Sequence, residues 1–235
     1  MEVCRICSHP FRCIQEATSI LNQSNKLFSD PYRLSFTSTS LRPELARIVA
    51  DAYLACGTWA GARKQVLTDN TFQSRTKTSL QRMEREIRTR LEHLTKDQIV
   101  LLAEGTSEER AAMAWLAATK YATLIKEFAT DVLRSKLAGF DSVLRPSDYS
   151  NFIAARLPSH PELGELTESS SRKIRNVLLL MLTEAGMIRE ENGERQIIRP
   201  IETQRVIDSI VADDAQFLAG FLWSDEEIAA IRKGK

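Results

Sequence analysis

The sequence predicts a mainly α-helical fold with one small β-hairpin close to its C-terminal end. Through most of the chain, apolar residues recur at the three- and four-residue spacing of amphipathic helices, and Gly and Pro residues separate these periodic segments. The pair Asn192-Gly193 lies between two short stretches that contain strand-forming residues. Asn-Gly is the strongest short hairpin signal because both residues tolerate a positive φ.

Length and charge limit the classes of protein to consider. With 235 residues, the chain is long enough for one large domain or two small ones. Its formal net charge is +1, so any binding to nucleic acid must come from local segregation of charge. The apolar run at residues 177–182 is far too short to cross a bilayer, and no other run is long enough. We therefore expect a cytoplasmic protein with no membrane partner.

The first part of the chain predicts a helical domain over residues 32–138, preceded by a peripheral extension, residues 1–31. Its opening helix, residues 44–56, has an apolar face, and Cys56 is expected as a small core residue. A capping-box pattern, Thr95 with Gln98 three residues later, starts a later helix. The helices after the first are expected at residues 59–68, 75–94, 96–103 and 108–137.

The helix expected at residues 75–94 has a basic outer surface and completes a helix-turn-helix-like start, with a helical bundle after it. That surface combines six cations with three carboxylates: Arg75, Lys77, Arg82, Arg85, Arg88, Arg90, Glu84, Glu86 and Glu92. Three short helices ending in a basic one are typical of helix-turn-helix DNA-binding proteins. Interleaved Arg and Glu at these spacings also often form a solvated, salt-bridged face. The candidate DNA contacts on this helix are Arg75, Lys77, Arg82 and Arg85.

Residues 139–200 predict a winged helix-turn-helix-like domain. A helix from Pro146 to Leu157 precedes a loop with two prolines, and a second helix follows Thr167. The second helix has six apolar residues at helical spacing: Ile174, Val177, Leu178, Met181, Leu182 and Ala185. Gly186 ends it, and strands at residues 187–190 and 195–199 form the hairpin. The alternative is a core helix followed by an unrelated hairpin.

The exposed face of the helix after Thr167 suits phosphate groups. Its first turns expose hydroxyl, cationic and amide side chains, at the end where the free N–H groups and the helix dipole attract anions. The candidate contacts are Ser169, Ser170, Arg172, Lys173, Arg175 and Asn176. Arg189 and Arg195 add two candidates on the hairpin, although its carboxylates, Glu190, Glu191 and Glu194, repel phosphate.

Residues 201–235 predict a C-terminal helical tail that begins with an amphipathic helix at residues 202–212. The tail is rich in carboxylates and contains Phe217, Phe221, Leu222 and Trp223. These apolar side chains either dock on the core or form a site for a partner.

No catalytic or cofactor-binding signature is present. The sequence lacks a Gly-rich phosphate loop, a nucleophile elbow and a His-Glu-x-x-His helix. We therefore expect no enzymatic activity, no catalytic residue and no cofactor. Cys4, Cys7, His9 and Cys13 have the atoms for four zinc ligands, but their spacing matches no established zinc module. Reduced thiols in a terminal extension are the alternative, and no metal site is predicted.

Several segments resemble one known family. They are residues 36–41 and 44–51 around the first helix, Trp59, residues 74–77 and 85–91, residues 112–125, and residues 167–176 with 182–188. From about Tyr32 to Arg205, the chain resembles the BrxA family of accessory proteins in bacterial BREX phage-defence systems. Residues 1–31 lie outside the resemblance, as a true extension or as the product of a start codon assigned too early.

The resemblance implies a mainly helical DNA-binding protein that acts with other BREX components. Those components are a DNA methyltransferase, an AAA+ ATPase and a phosphatase-like protein. The leading hypothesis is a non-enzymatic accessory protein that contacts double-stranded DNA through its basic helices. One alternative is a protein–protein adaptor within the BREX complex. Another is RNA binding by the helical bundle, in the manner of NusB-like antiterminators.

Overall fold

Helices form most of the chain, and they pack with one small antiparallel sheet, as the periodicity predicts. The structure, a computed structural model, describes residues 30–233. Its α-helices are α1 (Pro43–Cys56), α2 (Trp59–Asp69), α3 (Lys77–Leu91), α4 (Lys96–Glu104), α5 (Ser107–Tyr121), α6 (Thr123–Glu127), α7 (Ser135–Ala138), α8 (Pro146–Arg156), α9 (Glu168–Glu184), α10 (Gln204–Asp214) and α11 (Asp225–Lys233). The strands are β1 (Val143–Leu144), β2 (Ile188–Glu191) and β3 (Glu194–Ile197).

Helix α5 lies at the centre of the N-terminal helices and packs against α1, α3 and α4. Its side chains Trp115 and Leu116 are fully buried, as is Met113 on the same helix. The capping box that starts α4 is present, because Thr95 accepts from the N–H of Gln98 and the Gln98 side chain accepts from the N–H of Thr95. The helical core predicted for this part of the chain is therefore confirmed.

The single long helix predicted at residues 108–137 is wrong. Ala122 has extended backbone angles, φ −126° and ψ 106°, and separates α5 from α6. A π-helical segment, Phe128–Arg134, then joins α6 to α7. The redirected chain buries Phe128 against Tyr149 and Phe152 of α8, with ring centroids 5.9 Å and 5.3 Å apart. These contacts with a distant helix have no signature in the local periodicity.

Two further expectations for the N-terminal helices need correction. Helix α3 is shorter than residues 75–94, because Thr76 caps it by accepting from the N–H of Ser79. Cys56 is exposed rather than buried. It occupies the last position of α1, where the chain turns at Gly57 with φ 68°, and so it lies outside the core.

The hairpin forms at the predicted Asn-Gly pair. Asn192 and Gly193 have φ values of 54° and 80°, and the flanking residues Glu191 and Glu194 pair across the strands. The connection is therefore a two-residue turn, tighter than the four-residue loop expected from the sequence. Strand β1, which was not predicted, pairs with β3 and gives the sheet order β1-β3-β2.

The aromatic tail docks on the core. Phe221 and Leu222 are buried, and Phe217 and Trp223 are partly covered. The indole N–H of Trp115 donates to the carbonyl oxygen of Gly220 at 2.9 Å. Of the two interpretations of these apolar residues, docking against α5 is the one observed.

Candidate nucleic-acid interface

Helix α9 is anchored by one apolar face and exposes the other. Ile174, Leu178, Met181 and Leu182 are buried, as the helical spacing predicts. The hydroxyl of Thr167 accepts from the N–H of Ser170 and fixes the start of the helix. Ser169, Lys173 and Asn176, separated by one or two helical turns, are exposed, while Ser170 and Arg175 are half-buried at the edges of this face.

Two of the predicted cations already have carboxylate partners. Arg172 pairs with Glu168 one turn earlier, and Arg189 pairs with Glu191 on β2 at 3.3 Å. Lys173, Arg175 and Arg195 form no ion pair within residues 30–233. Because an unpaired cation gives up no internal partner when it binds an anion, these three are the stronger candidates for phosphate ligands.

One edge of α9 meets the small sheet. Arg175 and Asn176 line a depression of about 240 Å³ together with Arg195 of β3. The rest of the wall is formed by Leu144 of β1, Tyr149 of α8, Phe128, Arg145, Pro146 and Leu179. The unpredicted strand β1 therefore brings Arg195 next to the exposed face of α9, which the hairpin sequence alone did not indicate.

The other edge of α9 meets α3. Lys173 lines a groove of about 290 Å³ with Arg82 of α3. The other walls are mostly hydroxyl-bearing residues: Ser38, Thr76, Thr78, Ser79 and Met83. The two basic helices that the sequence suggested separately thus border the same groove. The hydroxyl-rich stretch before α1 was the only local sign that Ser38 takes part.

The solvent-accessible cations of α3, together with Arg75 just before the helix, divide into two groups. Arg75, Lys77, Arg82 and Arg85 are exposed, and none forms an ion pair within the described part of the chain. Arg88 instead pairs with Glu84 at 2.8 Å and also with Glu92. The four candidate residues therefore match the basic-surface hypothesis, whereas Arg88 matches the salt-bridged alternative.

Arg90, Glu86 and Glu84, expected on the outer surface of α3, are buried instead. Burial lowers the pKa of the Arg90 guanidinium, which pairs with Glu86. The guanidinium donates to the carbonyl oxygens of Phe36, Thr39 and Ser40 at 2.7–3.0 Å. Residues 36–40 cover this pair, and their position could not be inferred from the spacing of Arg and Glu on the helix.

The same stretch of chain also contacts α9. The carboxylate of Glu184, at the end of α9, accepts from the N–H of Leu41 at 2.7 Å and from the hydroxyl of Ser40 at 2.8 Å. The carboxylate of Glu86 on α3 accepts from the N–H of Ser38 at 2.8 Å. Residues 36–42, named here the bridging segment, therefore fix the basic helices relative to each other.

Other expectations concern metals and membranes. Within residues 30–233, no group of His, Cys, Asp and Glu has the arrangement of a metal site. The weak zinc candidate Cys4, Cys7, His9 and Cys13 lies outside the described residues. In the same part of the chain, no helix combines the length and apolar character needed to span a bilayer.

A sequence profile of the BrxA family matches residues 30–214. The chain belongs to the BrxA family. Its similar relatives include two named BREX protein BrxA, from Escherichia coli O9:H4 (strain HS) and Bacillus cereus (strain H3081.97). The first is 27% identical over 72% of this chain and 80% of its own length. The second is 23% identical over 64% of this chain and 75% of its own length.

A solved structure has the same fold as this member of the BrxA family. It is a crystal structure of an uncharacterized protein from Magnetospirillum magneticum, with a TM-score of 0.72 and 19% sequence identity. The match covers 82% of this chain and 98% of that one. A BrxA protein from Paramagnetospirillum magneticum is also 22% identical over 70% of this chain and 82% of its own length.

Proposed function

We propose that this protein binds double-stranded DNA through a continuous surface formed by α9 and α3. Membership in the BrxA family of BREX systems suggests a role in phage defence. The observation that carries the proposal is the groove shared by Arg82 and Lys173, because it unites two basic helices. Its hydroxyl-bearing walls add donors of the kind that contact phosphate oxygens.

The order of elements in the C-terminal part supports a winged-helix interpretation. A strand, two helices and a hairpin follow one another as β1, α8, α9, β2 and β3. In DNA-binding proteins of the helix-turn-helix class, the second helix enters the major groove with its N-terminal residues facing the bases. On that analogy, α9 enters the major groove, and the base edges are faced by Ser169, Arg172 and Asn176. Asn side chains pair well with adenine and Arg side chains with guanine.

The same interpretation divides the chain into domains. Residues 32–138 form a helical domain, residues 139–200 form the winged-helix domain, and residues 201–235 form a helical tail. The proposed surface crosses the boundary between the first two domains, because Arg82 and Lys173 belong to different ones.

Charge segregation supplies the affinity. The formal net charge of +1 gives the whole protein little attraction for DNA. At the proposed surface, Arg75, Lys77, Arg82, Arg85 and Lys173 form no ion pair within residues 30–233. Around five phosphate contacts would make the affinity fall steeply as salt rises. Glu190, Glu191 and Glu194 on the hairpin limit the contribution of the wing to Arg195.

The proposal includes no catalytic step and no cofactor. In a BREX system the bound protein would act, in the cytoplasm, with the methyltransferase, the AAA+ ATPase and the phosphatase-like protein that the family resemblance implies. A second function, as an adaptor, is favoured by two apolar side chains. Phe140, with φ 58°, is 100% exposed and Ile201 is 96% exposed. Exposed large apolar groups often mark protein contacts.

The test is binding of purified protein to a fluorescent duplex, measured by anisotropy over a salt series. We expect salt-dependent binding that is lost in the triple variant R172A/K173A/R175A. A matched control replaces three exposed lysines outside this surface, Lys64, Lys96 and Lys233, with alanine. Equal loss in both variants would indicate a nonspecific charge effect. Absence of binding at low salt would favour the adaptor function, and preference for single-stranded RNA in competition would favour the RNA-binding alternative.

A further inference from the structure

A second cationic groove lies between α2 and α3, and Lys173 is not part of its lining. It measures about 450 Å³ and is lined by Arg63, Thr78, Gln81, Arg82, Arg85 and Arg88. Four of these six residues are arginines, and Arg63 lies on α2, which carries none of the residues assigned to the α3–α9 surface. Arg82 also lines the groove that contains Lys173, so the two grooves adjoin.

Arg63 is only weakly held in the free protein. Its Nε lies 3.8 Å from Oε2 of Glu84, and its side chain is 55% exposed. Glu84 is fully buried, and this Oε2 atom makes no hydrogen bond within residues 30–233. Arg88 has a closer contact, with its Nε at 2.8 Å from the other carboxylate oxygen. Arg63 can therefore turn toward a ligand without losing a hydrogen bond.

The composition of the groove selects a ligand class. Guanidinium groups have planar arrays of N–H donors that match the oxygens of a phosphate group. The hydroxyl of Thr78 and the amide of Gln81 add uncharged donors beside them. Among residues 30–233, no aromatic side chain lines the groove, so the described lining offers no ring on which a base could stack. The site is therefore suited to phosphate groups, because its guanidinium groups form most of the lining.

We propose that the α2–α3 groove binds backbone phosphates of the same duplex that α9 contacts, with Arg63 as the ligand on α2. The inference rests on the proposed function and extends its footprint from α9 across α3 to α2. Because Arg82 belongs to both grooves, a phosphodiester chain can pass from one groove to the other along α3. Arg63 contributes affinity without sequence preference.

The first experiment compares R63A with K64A in the salt series. Ala62 and Val66 mark the buried side of α2, so Lys64 points away from the core and serves as a control of equal charge. We expect R63A to make the slope of log affinity against log salt concentration shallower by about one, whereas K64A should leave this slope unchanged. R63K should keep the slope, because the charge remains. Circular dichroism establishes that each variant is folded.

An unchanged slope in R63A, or an equal fall in R63A and K64A, would overturn this inference. The proposed function would still stand if the duplex bound and the α9 triple variant lost binding. Failure of the wild-type protein to bind any duplex would instead overturn both.

A second arm titrates the protein with inorganic pyrophosphate in the absence of DNA. Pyrophosphate binding that depends on Arg63, with an unchanged duplex slope in R63A, would assign the groove to a small phosphorylated ligand and contradict the proposal. Competition between pyrophosphate and the duplex, weakened in R63A, would support it.

Discussion

The side-chain carboxylate of Glu184 accepts a hydrogen bond of 2.7 Å from the backbone N–H of Leu41. This bond links the last turn of α9 to the chain just before α1, because Leu41 lies two residues ahead of the first residue of that helix. The bridging segment continues from there to α3, where Arg90 donates to its carbonyl oxygens. The relative position of the two basic helices therefore depends on a stretch of chain that belongs to neither.

Replacing Glu184 with alanine tests this link. The change leaves the buried Leu41 N–H and the Ser40 hydroxyl without their acceptor. We expect the free energy of unfolding, measured in urea, to fall by about 2 kcal/mol. Duplex affinity should fall too, because Arg82 and Lys173 would no longer be fixed relative to each other. T183A is the control, because Thr183 is the exposed residue next to Glu184. If T183A lost as much stability and affinity as E184A, the composition of the helix, and not the link to Leu41, would be responsible.

Arg82 and Lys173 should contribute to DNA binding as parts of one surface. We expect R82A and K173A each to make the slope of log affinity against log salt concentration shallower by about one, and the double variant to make it shallower by about two. Measurement is by anisotropy with one duplex throughout. K96A, at an exposed lysine of α4, is the control. If R82A leaves the slope at its wild-type value, then α3 takes no part in the contact.

Glu168 restrains Arg172 in the free protein, so its removal should strengthen DNA binding. Both side chains of this ion pair are exposed, and the pair engages Arg172, a residue that we propose faces the duplex. We expect E168A to bind the duplex roughly twofold more tightly, since a repulsive charge is removed from the contact region. The same change should cost about 0.5 kcal/mol of stability, because an acidic residue is lost from the first turn of α9. Weaker duplex binding by E168A would contradict the prediction.

The buried carboxylate of Glu84 should make stability depend on pH. Burial raises the pKa of Glu84 above its ordinary value of 4.5, while Arg88 and Arg63 oppose the rise and Glu92 adds to it. A raised folded-state pKa favours the folded protein below the ordinary value, and this contribution is lost as pH increases through the folded-state pKa. We therefore expect E84Q to gain stability relative to wild type as pH increases above 4.5. The free energy of unfolding of both proteins is measured in urea across this pH range. A difference between the two proteins that stays constant with pH would refute the raised pKa of Glu84.

Local patterns in the sequence predicted the elements that local physics controls. The spacing of apolar residues predicted α9. The pair Thr95 and Gln98 predicted the capping box of α4, and Asn192-Gly193 predicted the hairpin turn. Strand β1 was missed because its two residues gain their structure only by pairing with β3, some 50 positions away. Ala122 ends α5 although alanine favours helices, and the redirected chain buries Phe128 against Tyr149 and Phe152 of α8.

The candidate residues were predicted singly, but their arrangement was not. Arg82 and Arg90 look alike in the sequence, yet one is exposed and the other is buried beneath the bridging segment. The spacing of Arg and Glu on one helix does not indicate which other segment of the chain packs on that helix. Likewise, nothing near Lys173 in the sequence indicates that Arg82 lies across a groove from it.

The bridging segment also has a consequence for how the protein unfolds. Glu184 and Leu41 are separated by 143 positions in the chain, so their contact closes a very long loop and forms only after both ends are organised. Neither α9 nor the chain entering α1 can come apart alone without leaving buried polar groups unpaired. Melting should accordingly proceed as one cooperative transition, and residues 139–200 expressed by themselves should lose the N-terminal partner of Glu184 and melt at a lower temperature than the whole chain.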